Sequence, residues 1–91
     1  MRNELLEALK PSVEILELAG RKIHIRELTC EDAEAISAGD DAAYKLIVLC
    51  TFDADGNRIF GDEDIPALKK AGRGHLMQIM NAVNKINSGS Q

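Results

Sequence analysis

The sequence predicts an α+β fold in which an N-terminal β-hairpin packs on three or four α-helices. Apolar and polar residues alternate with period two on both sides of Ala19 and Gly20, and this pattern is typical of a hairpin. From Thr29 onward, apolar residues recur every three to four positions, as they do in amphipathic helices. With 91 residues, the chain is expected to form a single domain with a modest core.

Both ends of the chain are expected to lie outside that core. Leu5, Leu6 and Leu9 have helical spacing, so residues 1–12 are expected to form a short helix or an arm. Residues 88–91 are small and polar, and they are expected to form a flexible tail. The hairpin is expected between these ends, over about residues 13–28.

Helices are expected to follow the hairpin. Thr29 is a favourable N-cap residue, and Gly39 is expected to end the first of these helices. The next helix is predicted over residues 42–52. Gly72 and Gly74 are expected to interrupt the chain before the last helix, which leaves the start of that helix open.

The predicted helix over residues 42–52 is apolar around most of its circumference. Such a helix is normally buried on every side, and a chain this short offers few elements to cover it. An uncovered apolar surface normally marks an interface. We therefore expect weak self-association, and the candidate partner-binding residues in this segment are Ile47, Val48, Leu49 and Phe52.

One acidic segment is similar to an EF-hand calcium loop. Asp53, Asp55, Asn57 and Asp64 stand at ligand positions one, three, five and twelve of such a loop. The sixth position, normally Gly, is Arg58, whose positive charge opposes the binding of a cation. The same residues also fit a tight turn. The turn is the favoured interpretation, and a small calcium-binding module remains open as an alternative.

Composition and charge argue against two further classes of partner. The net charge is −4, the Lys and Arg residues are spread along the chain and only 3% of residues are aromatic, which argues against nucleic acid. No apolar run reaches the roughly 18 residues needed to span a bilayer, and the first residues differ from a secretory signal. Neither nucleic acid nor a membrane is therefore expected as a partner.

No catalytic or zinc-binding motif can be recognised. Cys30 and Cys50 lie among apolar neighbours, and they are expected to be buried, reduced thiols. Together with His24 and His75 they are too scattered for zinc-ligand spacing. His24 is expected on a solvated strand face and His75 near a helix start. The sequence thus predicts a protein that is not an enzyme and needs no cofactor.

The order of motifs resembles that of the tail assembly chaperones of long-tailed bacteriophages. A strand ends in "IREL" before a Thr cap, and an apolar helix follows. The next residues match the family pattern D-x-x-G-x-x-x-F-x-x-x-D-x-x-x-L, and a closing helix ends the resemblance. The matching residues are Asp53, Gly56, Phe60, Asp64 and Leu68.

This resemblance, which covers residues 25–87, implies a non-enzymatic role in building the phage tail. Such chaperones bind the tape measure protein, a long helical protein that sets tail length, keep it soluble and help to recruit the major tail protein. The family often makes an extended form by translational frameshifting, and this chain looks like the short form. The resemblance also implies a place in the bacterial host cytoplasm and absence from the mature virion.

A helix of the tape measure protein is expected to dock into an apolar groove. Methionine side chains help such grooves to adapt to varied targets. The candidate groove residues on the last helix are Leu76, Met77 and Met80; plain core packing is the competing interpretation. A regulatory or antitoxin-like adaptor remains a second alternative function.

Overall fold

The computed structural model describes residues 1–36, 39 and 41–88. It confirms the α+β prediction: an antiparallel sheet that begins with the predicted hairpin packs against helices. Three residues of the predicted flexible tail, 89–91, lie outside the described part of the chain. None of the helices in that part combines the length and the hydrophobicity needed to cross a membrane.

The hairpin consists of strands β1 (Val13–Leu18) and β2 (Arg21–Arg26). Two turn residues, Ala19 and Gly20, connect them with φ angles of 52° and 78°. Turns with positive φ at both central residues match the right-handed twist of paired strands, and Gly20 adopts such an angle without strain.

A third strand, β3 (Thr51–Phe52), pairs antiparallel with β2 and gives the strand order β1-β2-β3. This corrects the predicted helix over residues 42–52, which ends before β3. At Thr51 the backbone is extended, and its hydroxyl donates a hydrogen bond of 2.8 Å to the carbonyl oxygen of Ile47. Pairing with Ile25 on β2 therefore replaces the last helical turn that the apolar periodicity predicts.

The described residues also form five α-helices. They are α1 (Arg2–Ala8), α2 (Cys30–Ala35), α3 (Ala42–Cys50), α4 (Ile65–Lys69) and α5 (Arg73–Asn87). A single 3₁₀ turn leads directly into α4. The prediction of a short N-terminal helix or an arm thus resolves into a helix, α1.

The ends of the helices agree only in part with the sequence signals. Thr29 is the N-cap of α2 as predicted, since its Oγ1 accepts a 3.0 Å bond from the Asp32 amide. However, α2 ends at Ala35, before the predicted stop at Gly39, because the next residue is extended. Gly72 is the N-cap of α5, whereas Gly74 lies inside its first turn.

The core lies between the sheet and the pair α3 and α5. Its buried residues come from β2, α3, α4 and α5: Ile25, Ile47, Val48, Cys50, Leu68, Ile79 and Val83. The C-terminal end of α5 is joined to the chain after β2 through the Asn87 side chain. Its Oδ1 accepts a 2.7 Å bond from the Leu28 amide, and its Nδ2 donates to the Val83 carbonyl oxygen.

The expectation that α3 lacks cover is wrong. Ile47, Val48 and Leu49 are only 0%, 3% and 7% exposed, because β2, α4 and α5 together pack around the helix. The burial of these residues removes the reason for expecting self-association through an uncovered surface of α3. Partner binding by these three residues stays a prediction, and it would require the domain to open.

The two cysteines lie in different environments, although both were expected to be buried. Cys50 is fully buried at the end of α3, as predicted, whereas Cys30 is exposed. Cys30 is the first residue of α2, and no residue of that helix is buried. The apolar residues near Cys30 in the sequence therefore do not predict its exposure correctly. Both thiols are free.

Candidate partner-binding groove

The loop that resembles a calcium site is built as a tight turn. One carboxylate oxygen of Asp53 accepts hydrogen bonds of 2.9 Å from the amides of both Asp55 and Asn57. The Gly56 amide donates to the Asp53 carbonyl oxygen at 3.1 Å, and its φ is 87°. This segment therefore folds as a tight turn, the structure that the favoured interpretation expects.

Two more positions of the calcium pattern have local partners. Asp64 accepts a 2.9 Å hydrogen bond from the Gly61 amide ahead of α4. Arg58 forms a 3.1 Å ion pair with Asp32, and its guanidinium lies 5.7 Å from the centre of the Phe52 ring. Across residues 1–36, 39 and 41–88, no three His, Cys, Asp or Glu side chains are grouped as metal ligands.

An apolar groove runs beside the first half of α5. Leu76 lines two neighbouring cavities. The larger has a volume of about 470 Å³ and is also lined by Phe60 from the loop, Leu68 from α4 and Ile79 from α5. These apolar side chains come from three parts of the chain and line the same cavity.

The smaller cavity, of about 240 Å³, is lined by Tyr44 from α3 and by Met77 and Met80 from α5. We call the two cavities, with the Leu76 side chain that they share, the α5 groove. The three candidate residues on the last helix, Leu76, Met77 and Met80, are half-buried here. They line the smaller cavity, and Leu76 and Met80 also pack against the core.

The remaining candidate residues lie elsewhere. Ile47 and Val48 belong to the core, and Leu49 is buried on the same helix. Phe52 lies on the outer face of the sheet, where the Arg26 guanidinium stacks 4.4 Å from its ring centre. The structure thus groups three of the seven candidates at one groove and separates the other four from it.

The edge of the α5 groove is lined by basic residues, although the net charge of the whole chain is −4. Lys69, Arg73 and His75 line the two cavities, and no Asp or Glu among the described residues does. Lys69 forms a 2.6 Å ion pair with Asp41 and lies 5.8 Å from the Tyr44 ring centre. The segment "KKAGRGH", residues 69–75, concentrates positive charge in a short stretch of the sequence. This local cluster is the sequence signal that could have predicted the basic edge.

The chain is similar in structure to the tail assembly chaperone of bacteriophage HK97. The likeness has a TM-score of 0.60 and covers 96% of this chain and 100% of that chain, at 16% sequence identity. This chain has the fold of that tail assembly chaperone. The resemblance found in the motifs is therefore confirmed at the level of fold. No protein-family model and no curated protein matches the sequence.

In this tail assembly chaperone fold, the motif residues have structural roles. Asp53 and Gly56 form the turn after β3, and Asp64 stabilises the start of the next helical turn. Phe60 and Leu68 pack in the core and line the α5 groove. The motif therefore specifies how the loop and α4 are placed against α5, and through this it shapes the groove.

Proposed function

We propose that this protein is a phage tail assembly chaperone whose α5 groove binds a helix of the tape measure protein. The observation that carries the proposal is the open apolar groove beside Leu76, Met77 and Met80, in a chain with the fold of the HK97 tail assembly chaperone. A groove of this kind suits the apolar face of an amphipathic helix. The two methionines can repack against helices of different sequence.

The basic edge of the groove defines the helix that fits best. A helix with acidic residues beside its apolar stripe would place them near Lys69 and Arg73. Complementary charge of this kind improves specificity and the rate of association more than affinity. The preferred segments of the tape measure protein are therefore amphipathic, with Asp or Glu flanking the apolar stripe.

Covering apolar stripes keeps a long helical protein from aggregating, since exposed apolar surface drives association. Each groove is small, so a single contact is weak, and binding is reversible. Several copies along one tape measure protein would then combine weak contacts into stable coverage. Reversibility also lets the copies leave when the tail tube forms.

In this proposal the chaperone helps to bring the major tail protein to the covered tape measure protein, and an extended form of the chain supplies that second contact. The protein acts in the cytoplasm of the bacterial host and is absent from the mature virion. Its role is that of a binding protein, not of an enzyme.

The proposal can be tested by co-expressing the chain with the tape measure protein of the same phage. Met77→Glu places a charge in the groove, whereas Gln78→Glu adds the same charge at an exposed position of the same helix. We expect the wild type and Gln78→Glu to keep the tape measure protein in the soluble fraction. Met77→Glu should lose this effect and bind an isolated tape measure segment about tenfold or more weakly.

Thermal unfolding of each variant serves as the control for folding. A folded Met77→Glu variant that keeps the tape measure protein soluble as well as the wild type does would reject the groove. Pull-down of the unmodified chain from infected cells separates this function from that of a regulatory adaptor, because an adaptor would recover a different protein.

A further inference from the structure

The sheet has a second face, on the side turned away from the core. Leu16 of β1 and Ile25 of β2 pack in the core, and successive residues of a strand point to opposite sides of a sheet. The residues between these core positions therefore point outward. The pairing of the strands places them side by side, and we call them the outer sheet face: Val13, Ile15, Glu17, Lys22, His24, Arg26 and Phe52.

One half of the outer sheet face is apolar and open to solvent. Val13 and Ile15 are 49% and 61% exposed, and they are neighbours on the same face of β1. The solvated face of an antiparallel sheet normally carries polar side chains opposite a buried apolar face. Here β1 is apolar on both faces, since Leu16 packs against the core. Adjacent apolar side chains of this kind indicate a surface that another element covers.

The other half of the outer sheet face holds a guanidinium that lacks an anionic partner. The Arg26 guanidinium lies 4.4 Å from the centre of the Phe52 ring, and a Cβ at Gly56 would be 3.1 Å from its Nη2. Its Nε is buried and has no hydrogen-bond partner in the described part of the chain. Among the described residues, no Asp or Glu lies within ion-pair distance of Arg26. A buried donor without an acceptor is costly, so these contacts indicate an acceptor that the chain itself does not supply.

The charges near this guanidinium leave it positive. Arg58 lies 5.7 Å from the same Phe52 ring centre, but its charge is offset by Asp32, with which it forms a 3.1 Å ion pair. Glu17 and Lys22 are opposite each other at the far end of the face, so their charges also offset. The positive charge of Arg26 therefore remains uncompensated. A guanidinium binds a carboxylate through paired hydrogen bonds with a matching planar geometry.

We propose that the outer sheet face binds an acidic segment of a partner protein, with a carboxylate on Arg26 and apolar side chains against Val13 and Ile15. The apolar half favours a polypeptide over a nucleic acid, and the net charge of −4 opposes a polyanion. The residues of this face are all different from those that line the α5 groove. The proposed contact therefore does not depend on the proposed function, and Arg26→Gln should leave the solubility of a co-expressed tape measure protein unchanged.

The chemistry of the ligand is tested by selecting binders of the immobilised wild-type chain from a library of random peptides. Each selected peptide is then tested against Arg26→Gln and Met77→Glu. We expect a class of peptides that requires Arg26, still binds Met77→Glu, and carries Asp or Glu near Val, Ile or Leu. The absence of such a class would overturn the proposal, and so would Arg26-dependent peptides that contain no carboxylate.

Titration calorimetry with the best peptide of this class measures the contact with Arg26. Arg26→Gln should weaken binding about tenfold or more, as should replacing the peptide carboxylate by its amide. The two changes together should cost little more than either alone, because both remove the same interaction. Arg21→Gln is the matched control. It removes the same charge from an exposed position on the opposite face of β2, so the affinity should stay at the wild-type value.

Ile15→Glu tests the apolar half of the face without changing Arg26. Because Ile15 is exposed, this variant should unfold at the wild-type temperature, so it remains informative even where Arg26→Gln fails to fold. It should lose the peptide, since the new carboxylate repels an acidic ligand and removes the apolar contact. Unchanged peptide binding by folded Ile15→Glu would overturn the proposal. Dissociation of an oligomer of the purified chain by Ile15→Glu or Arg26→Gln, measured by sedimentation velocity, would also overturn it, because the face would then bind a second copy.

Discussion

Among single residues, Gly56 constrains the loop after β3 most directly. Its φ of 87° lies in the left-handed region, and a Cβ there would be 3.1 Å from Nη2 of Arg26. Gly56→Ala should therefore lower the free energy of unfolding by about 1–2 kcal/mol. Gly74→Ala is the matched control. It lies in α5 with open space around it, so it should raise that free energy by about 0.5–1 kcal/mol.

Urea unfolding of the two glycine variants measures both effects. A lower free energy of unfolding for Gly56→Ala, together with a higher one for Gly74→Ala, would support the assigned backbone conformations. Equal stability of Gly56→Ala and the wild type would show that the loop does not depend on the left-handed conformation at this position.

The contrast between the two cysteines gives a second prediction at this scale. Burial raises the pKa of the Cys50 thiol above its ordinary value of 9.0, while the hydrogen bond from Asn87 acts in the opposite direction. The folded state therefore favours the neutral thiol. This contribution to stability is complete below the pKa of the unfolded chain and is lost as pH rises through the higher pKa of the folded chain.

Stability measured from neutral pH to above pH 9 should thus fall more steeply for the wild type than for Cys50→Ala. The absolute stability of that variant is lower because it leaves a cavity. At neutral pH a thiol reagent should modify exposed Cys30 rapidly and Cys50 only when the domain opens. Equal rates for both thiols, or parallel pH profiles for the two proteins, would contradict the assigned burial.

At the scale of elements, local signals predicted the hairpin and the α2 cap, whereas β3 depends on contacts distant in sequence. The period-two pattern places the hairpin turn at Ala19 and Gly20, and Thr29 caps α2. In contrast, Thr51 continues the apolar pattern of α3 but pairs with Ile25. The sequence around Thr51 contains no local pattern that predicts this pairing. The same limitation explains why the cover of α3 was missed, since it comes from elements far along the chain.

The acidic turn itself gives a prediction at this scale. Asp53→Ala removes the acceptor of two backbone amides, and this should cost about 1–3 kcal/mol of stability. Asp53→Asn keeps a side-chain oxygen in the same place and should cost less. We also expect no micromolar calcium binding by isothermal titration, because Arg58 brings a positive charge to this loop. Micromolar binding that disappears in Asp53→Ala would instead restore the calcium-module alternative.

At the scale of the whole molecule, the groove could be predicted only from its α5 side. The positions of Leu76, Met77 and Met80 on one helix follow from helical spacing. The opposite wall comes from Phe60 and Tyr44, whose approach depends on how the loop and α3 pack. The N-terminal leucines were recognised as helical, but only the structure shows that the monomer leaves them uncovered.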